Sequence, residues 1–207
     1  MHKRIQILTQ IVFIFLFVGL IIMNQIQIWM GVFAVTLLLS VFFSRFYCGW
    51  ICPINTVMKP FAWVKRKLKI KGPLKMPKIL KRPVIRYLSL IGIASILAYS
   101  LINKQPIPVL PTLVLIGALI AILFNETWFH RSLCPYGALL KLSAKKPKKA
   151  VGIDEDNCTN CGICARVCPS DAVDKLESSH RIDVSECLVC HECIRNCPTN
   201  VIHYQVR

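Results

Sequence analysis

One cysteine pattern is written twice in this chain, and it constrains the fold more than any other feature. Residues 158–169 read C-T-N-C-G-I-C-A-R-V-C-P, and residues 187–198 read C-L-V-C-H-E-C-I-R-N-C-P. The spacing C-x2-C-x2-C-x3-C-P thus recurs at an offset of 187 − 158 = 29 residues. Three thiolates spaced by two residues wrap one face of an iron–sulfur cubane, with the backbone amides between them aimed at the sulfurs. A fourth thiolate must come from elsewhere, because that turn cannot reach all four corners. Two other uses of cysteine compete with this one. Disulfides are disfavoured in a reducing cytosol, and paired C-x2-C zinc sites need neither the third cysteine nor the terminal Cys-Pro. Pro169 and Pro198 end each ligand loop by fixing φ and removing a donor.

Over about residues 151–205 the chain resembles a bacterial 2[4Fe–4S] ferredoxin, in which the fourth cysteine of each run ligates the other cluster. The resemblance implies that Cys158, Cys161, Cys164 and Cys197 bind one cluster, and that Cys187, Cys190, Cys193 and Cys168 bind the second. Ile163, Val167, Ala172, Val173, Leu188, Val189, Ile194, Val201 and Ile202 are the apolar residues available to shield them. Short strands around 150–153, 181–184 and 202–205 complete a small βαββαβ unit. So few large apolar residues cannot fold a domain by burial alone, so the metal is expected to supply much of its stability. His180, His191 and His203 fall outside the ligand spacing and are expected to be exposed polar residues.

The remainder of the chain has the opposite character. The net charge of +16 divides into 21 − 1 = +20 over residues 1–150 and 5 − 9 = −4 over 151–207, and eight of the eleven cysteines lie in the acidic part. Overall, 55% of residues are hydrophobic and 17% charged, against roughly 25% charged in an ordinary soluble domain. Four runs, about Ile5–Met23, Ile28–Phe43, Val84–Ile102 and Ile107–Phe124, are apolar enough to enter a bilayer core of about 30 Å. Lys3 and Arg4 before the first run suit an uncleaved helix, since no small-residue cleavage site follows it. Arg86 near the start of the third run is placed to snorkel.

Eleven Lys/Arg and no acid occupy residues 59–86, and five lysines follow the fourth run, whereas the short turns opposite hold only Lys104. Cytoplasmic loops are enriched in Lys/Arg, so both termini, the central loop and the acidic tail are expected on the cytoplasmic side of a cell membrane. A basic loop pinned between two spans is explained by topology and anionic head groups, so no nucleic-acid partner is expected.

Each apolar hairpin exits into a Cys-Pro motif. The first is Cys48-Gly49-Trp50-Ile51-Cys52-Pro53, and the second is His130-Arg131-Ser132-Leu133-Cys134-Pro135. Proline suits a first helical position, so each motif is expected to open an interfacial helix. After Pro53 an apolar stripe of Ile54, Val57, Phe61, Val64 and Leu68 has helical spacing, with Pro60 inside it. The basic part therefore reads as two copies of a hairpin–Cys-Pro–helix unit.

With C-G-W-I-C-P at 48–53, C-P-Y-G at 134–137 and the tail, the chain resembles the NapH-type polyferredoxins over nearly its whole length. That resemblance implies four transmembrane helices (residues 1–149) followed by a 2[4Fe–4S] ferredoxin-like α+β domain (150–207). It implies electron transfer between membrane quinone or quinol and a redox partner protein. The alternative role is an accessory ferredoxin that supplies electrons for maturation of a respiratory metalloenzyme. The chain departs from the family where a cysteine is expected at 130 and His130 stands. Cys48, Cys52, His130 and Cys134 are then either a third metal centre, since imidazole replaces thiolate at some iron–sulfur sites, or buried small residues with an interfacial histidine. Trp50, Trp63, Trp128, Phe129 and Tyr136 are expected in an aromatic belt. Glu126, the single acid of residues 1–150, is expected to pair with Arg45 or Arg131.

Overall fold

The computed structural model describes residues 3–68, 83–103, 109–124 and 126–206. Lys69, Lys71, Lys75, Lys78, Lys81, Arg82 and Lys104, which carry much of the topology argument, lie outside the described residues. In chain order the helices are α1 (Lys3–Ile22), α2 (Gln27–Phe43), α3 (Phe46–Trp50), α4 (Pro53–Lys67), α5 (Pro83–Ile102) and α6 (Val109–Leu123). There follow α7 (Glu126–Trp128), a π-helical turn (Phe129–Leu133), α8 (Pro135–Ser143), α9 (Ile163–Val167) and α10 (Glu192–Asn196). Four strands, β1 (Lys149–Ile153), β2 (Val173–Lys175), β3 (His180–Ile182) and β4 (Ile202–Val206), are interleaved with the last two helices. Two compact units result, one from residues 1–31 and 50–138, the other from 32–49 and 139–207.

In the first unit the apolar helices follow the apolar runs, and Pro111 falls in the first turn of α6, where its missing N–H costs no helical hydrogen bond. At 20 residues and a mean hydropathy of 2.6, α1 is long and apolar enough to cross a membrane. Of the other apolar helices, α5 also has 20 residues, but its apolar stretch is the 17 residues Val84–Ser100, and α2 has 17 residues and α6 15, so that α6 spans only about 22 Å at ~1.5 Å per residue. By length and composition, therefore, one described helix rather than four meets the requirement for a span. Outward residues such as Leu8, Phe15, Leu88, Ile91, Leu115 and Leu119 are nevertheless more than half exposed, an apolar exterior far larger than a water-soluble surface tolerates.

The interior of this unit is aromatic and tight. Trp29 is completely buried and takes edge contacts from Phe13 and Phe17, with ring centroids 6.3 and 5.0 Å away. α4 packs on α6 at Gly117, where a Cβ would stand 2.8 Å from Ile54 Cγ2. That close approach selects the buried face of α4. Ile54, Met58 and Ala62 point inward, while Phe61, Val64 and Leu68 of the expected stripe are exposed. Arg86 also differs from expectation: it is buried and donates to the carbonyls of His130 (3.4 Å) and Gly137 (3.5 Å) instead of snorkelling. Lys65 caps the end of α6 by donating to Phe124 O at 2.8 Å.

The second unit contains the βαββαβ arrangement. β1 pairs antiparallel with β4, Val151 opposite Tyr204, and β2 pairs antiparallel with β3, Asp174 opposite Arg181. The 29-residue offset of the sequence reappears in the backbone. α9 and α10 differ by 192 − 163 = 29, and the left-handed residues Asn160, Gly162 and Asp171 correspond to Val189, His191 and Asn200. Asparagine, aspartate and glycine tolerate positive φ. Val189 at φ 52° does not, and its β-branched side chain is held there by surrounding structure.

Gly49 belongs to that surround. A Cβ on Gly49 would lie 2.3 Å from Leu188 O and 3.1 Å from the Val189 carbonyl carbon, so only glycine lets the two backbones touch. Gly49→Ala is expected to destabilise the purified chain by about 1–3 kcal/mol, the usual cost of overpacking. Gly19→Ala, where nothing lies within 4 Å, is expected to leave stability unchanged or gain up to ~1 kcal/mol from helix propensity. Unfolding midpoints of the two variants in detergent check the contrast.

Candidate metal centres

The cysteines of the second unit gather around two cavities. One is lined by Cys158, Cys161, Cys164 and Cys197, the other by Cys168, Cys187, Cys190 and Cys193. Each loop supplies three thiols to its own cavity, and the Cys-Pro thiol crosses to the other, matching the two sets that the ferredoxin resemblance implies. The rest of the lining obeys the same 29-residue offset: Ile153 and Ile202 in the first cavity correspond to Ile182 and Val173 in the second. Val151, Ala172, Val173, Ile182, Val189, Val201 and Ile202 form the buried apolar core around them.

Each crossing thiol is provided with donors before any ligand arrives. Cys168 Sγ accepts from the Ala172 amide at 3.3 Å and lies 3.6 Å from the Ser170 hydroxyl. Its counterpart Cys197 Sγ lies 3.5 Å from the Thr199 hydroxyl. Burial opposes ionisation of Cys197, yet Thr199 and the amides of Val201, Thr199 and Asn200 together bring its thiol below the ordinary value. The loop thiols go the other way. Burial, reinforced by neighbouring thiols, pushes Cys193 up to about 12 and raises Cys187 far above its usual range, while Cys164 rises chiefly by burial.

Four soft donors on each cavity, apolar walls and amides directed at sulfur fit a thiolate-ligated iron–sulfur cluster. Among the described residues no three His, Cys, Asp or Glu side chains converge tightly enough to hold a single metal ion. A cubane instead requires its thiolates spread over the corners of a cage.

Two histidines depart from the sequence expectation. His180 and His191 are 3% and 4% exposed, and each lines one cavity, whereas His203 is exposed as expected. Burial, aided by the charge of Arg195, lowers His191 to about 4, so its ring is neutral at neutral pH. The alternation of β3, inward–outward–inward at 180–182, carried the signal for His180.

The second cavity is also anchored within its unit. Arg45, 1% exposed, donates to Glu186 Oε2 at 3.0 Å, and Lys141 reaches Oε1 of the same carboxylate. Ser44 donates to Val184 O at 3.0 Å, and Arg45 Nη1 lies 3.4 Å from the carbonyls of Ser185 and Glu186. These contacts seat residues 184–189, including Cys187, on the segment Ser44–Gly49. Of the two partners expected for Glu126, Arg45 and Arg131, Arg45 instead takes Glu186 as its carboxylate, and the charge of Glu126 acts on Lys65.

The four residues of the third set are all buried. Cys52, His130 and Cys134 lie in the first unit and Cys48 in the second. His130 lies in the π-helical turn just ahead of Pro135, and the Gly137 amide donates to Cys134 Sγ at 3.3 Å. Burial, with Cys134 and Cys52 nearby, raises the Tyr136 hydroxyl above its ordinary value. The expected aromatic belt divides: Trp50, Phe129 and Tyr136 are buried, and Trp63 is exposed under Lys67, 5.1 Å from its ring.

Comparison with known proteins agrees with this chemistry. A 4Fe-4S binding domain family matches residues 25–71 and again 106–154, and a 4Fe-4S dicluster domain family matches 150–198. The chain is 31% identical over 145 residues to the methylamine utilization ferredoxin-type protein MauN of Methylobacillus flagellatus, covering 64% of this chain and 50% of the relative. It is 31% identical over 157 residues to the ferredoxin-type protein NapH of Haemophilus influenzae, covering 69% and 54%. The NapH protein of Escherichia coli is 26% identical over 157 residues, covering 69% and 54%. The chain thus spans about half the length of these relatives.

Two outcomes follow. Removing the Glu186 carboxylate by Glu186→Ala leaves Arg45 buried without its counter-charge and is expected to cost about 3–5 kcal/mol; the double variant Arg45→Met/Glu186→Leu is expected to recover most of it, measured by chemical unfolding. Because burial raises the Cys187 and Cys193 thiols, iron loading there must expel protons. Loading of the apo chain is therefore expected to weaken as pH falls, read from iron retained after titration between neutral and mildly acidic pH.

Proposed function

We propose that this chain, which belongs to the ferredoxin-type 4Fe-4S proteins that include NapH and MauN, is a membrane-anchored electron carrier with two [4Fe–4S] clusters. Cys158, Cys161, Cys164 and Cys197 hold one cluster, and Cys187, Cys190, Cys193 and Cys168 hold the other. The single observation that carries this is the crossed lining of the two cavities, each closed by the Cys-Pro thiol of the opposite repeat. A bound cubane supplies one-electron transfer. The protein's own residues fix the thiolates, exclude water with Val, Ile and Ala side chains, and aim amide and hydroxyl donors at sulfur.

Residues 1–149 are the anchoring domain in this reading, with four spans, and residues 150–207 the ferredoxin-type domain on the cytoplasmic side. The apolar outer faces of α1, α2, α5 and α6 and the concentration of Lys/Arg at their ends support it. The quinone pool is the membrane partner and a redox protein the partner on the aqueous side. An apolar cleft of about 340 Å³ between α5 and α6, lined by Ile93, Ile96, Leu113 and Ile116 with Ser89 and Thr112, suits an isoprenoid quinone better than a polar substrate.

The packing of Ser44–Gly49 against residues 184–189 gives the cluster of Cys187, Cys190 and Cys193 the contact with the first Cys-Pro motif. Electrons exchanged with the membrane side reach that cluster first in this account. A third centre on Cys48, Cys52, His130 and Cys134 is supported by one specific observation: the 4Fe-4S binding family matches residues 25–71 and 106–154, which contain these four residues and none of the eight tail cysteines.

Cys168→Ser and Cys197→Ser are each expected to lose the cluster that the residue closes, leaving about half of the tail iron in either variant. Loss of the same cluster in both variants contradicts the crossed ligation. Iron or zinc beyond about eight metal atoms per chain, removed by Cys134→Ser, supports the third centre, and a count unmoved by Cys134→Ser sinks it. Menaquinol or ubiquinol is expected to bleach the cluster absorption of the purified chain. If neither quinol reduces it, the role as accessory ferredoxin to a metalloenzyme is the better account.

A further inference from the structure

The two cavities each receive one imidazole, from positions that the internal repeat does not relate. His191 occupies the place of Gly162 in its repeat, and its ring leans on Tyr204 with centroids 5.6 Å apart. His180, in β3, occupies the place of Val151 in β1, since 180 − 151 = 29. Both residues face a cavity, so the repeat puts a valine against the second thiol set where it puts a histidine against the first. His180 is 3% exposed, and its Nδ1 is buried without a hydrogen-bond partner among the described residues. Its Nε2 stands 3.9 Å from where a Cβ on Gly162 would be, inside the Cys158–Cys164 loop. Buried polar nitrogens almost always have a partner, and the ring lines the cavity that Cys158, Cys161, Cys164 and Cys197 also line.

We propose that His180 is a positioning residue that donates an N–H hydrogen bond to a sulfur of the cluster held by Cys158, Cys161, Cys164 and Cys197, and so holds that cluster's reduction potential up. This rests on the two-cluster reading above. A neutral imidazole carries one N–H donor. The reduced cluster bears one more negative charge than the oxidised one, so a fixed donor at its sulfur stabilises the reduced form more. Val151 lines the other cavity at the corresponding position without a donor. The histidine thus makes the first cluster a better resting place for an electron than the same cavity lined by valine.

The test is a redox titration of the full chain, purified without oxygen in detergent and followed by electron paramagnetic resonance, with iron content measured alongside. In His180→Val one cluster is expected to titrate at lower potential and the other to stay where it is. His180→Gln, which keeps an N–H donor, is expected to restore part of the shift. Val151→His is expected to move the other cluster upward. Unchanged potentials in His180→Val at full iron content overturn the proposal. If His180→Val loses iron, Val151→His and His180→Gln decide: an upward shift in the former supports it, and unmoved potentials in both overturn it. A wild-type chain without cluster signals overturns the two-cluster reading itself, a result distinct from clusters whose potentials ignore position 180.

Discussion

A loop of three thiols spaced by two residues cannot close a four-cornered cage, and everything in the second unit answers that shortfall. The missing corner comes from the other repeat, so Cys168 serves the cavity of Cys187, Cys190 and Cys193, and Cys197 serves that of Cys158, Cys161 and Cys164. Neither repeat can finish its cavity alone. The pairing of β1 with β4 brings the two ends of the unit together and holds the crossing in place. The apolar core that remains is made of valine, isoleucine and alanine side chains, too little to order such a loop-rich chain without ligation.

The repeat is symmetrical in backbone and unequal in surroundings. Cys161 of the first loop is exposed, whereas its counterpart Cys190 is buried. The difference arises because the second loop lies against Gly49 and is tied through Glu186 to Arg45 and Lys141. Val189 accepts a left-handed backbone there, a local cost that the close seating of the loop sustains. The second cavity is thus embedded against residues 44–49, whereas the first includes an exposed thiol.

Much of this was legible in the sequence because ligand spacing is a strict geometric code. The repeat of three thiols and a Cys-Pro follows from it, and the ferredoxin resemblance that it carries implied the crossed thiol sets and the strands near 150, 181 and 202. β2 escaped because Val173-Asp174-Lys175 is three residues long with one buried side chain, too short for alternation to register. The histidines were misjudged because ligand spacing says nothing of a non-ligand facing the cavity, and only strand alternation placed His180 inward. On α4 only Ile54 of the expected stripe faces inward while Phe61, Val64 and Leu68 are exposed; Gly117 of α6, distant in sequence, chose the side of Ile54 and Met58. The Arg45–Glu186 pair joins residues separated by 141 positions, and no local pattern announces such a contact. Four apolar runs were visible, yet their helices differ, and α1 alone among those described meets both the length and the composition of a span.

The crossed arrangement has a direct magnetic consequence. Two cubanes bound as proposed above would share their ligand loops and lie close enough for their spins to interact when both are reduced. Electron paramagnetic resonance of the fully reduced, full-length chain is therefore expected to show the broadened spectrum of two coupled centres, simplifying to one uncoupled signal when Cys197 is replaced. Two independent signals, or a single centre in the wild-type chain, would contradict the account.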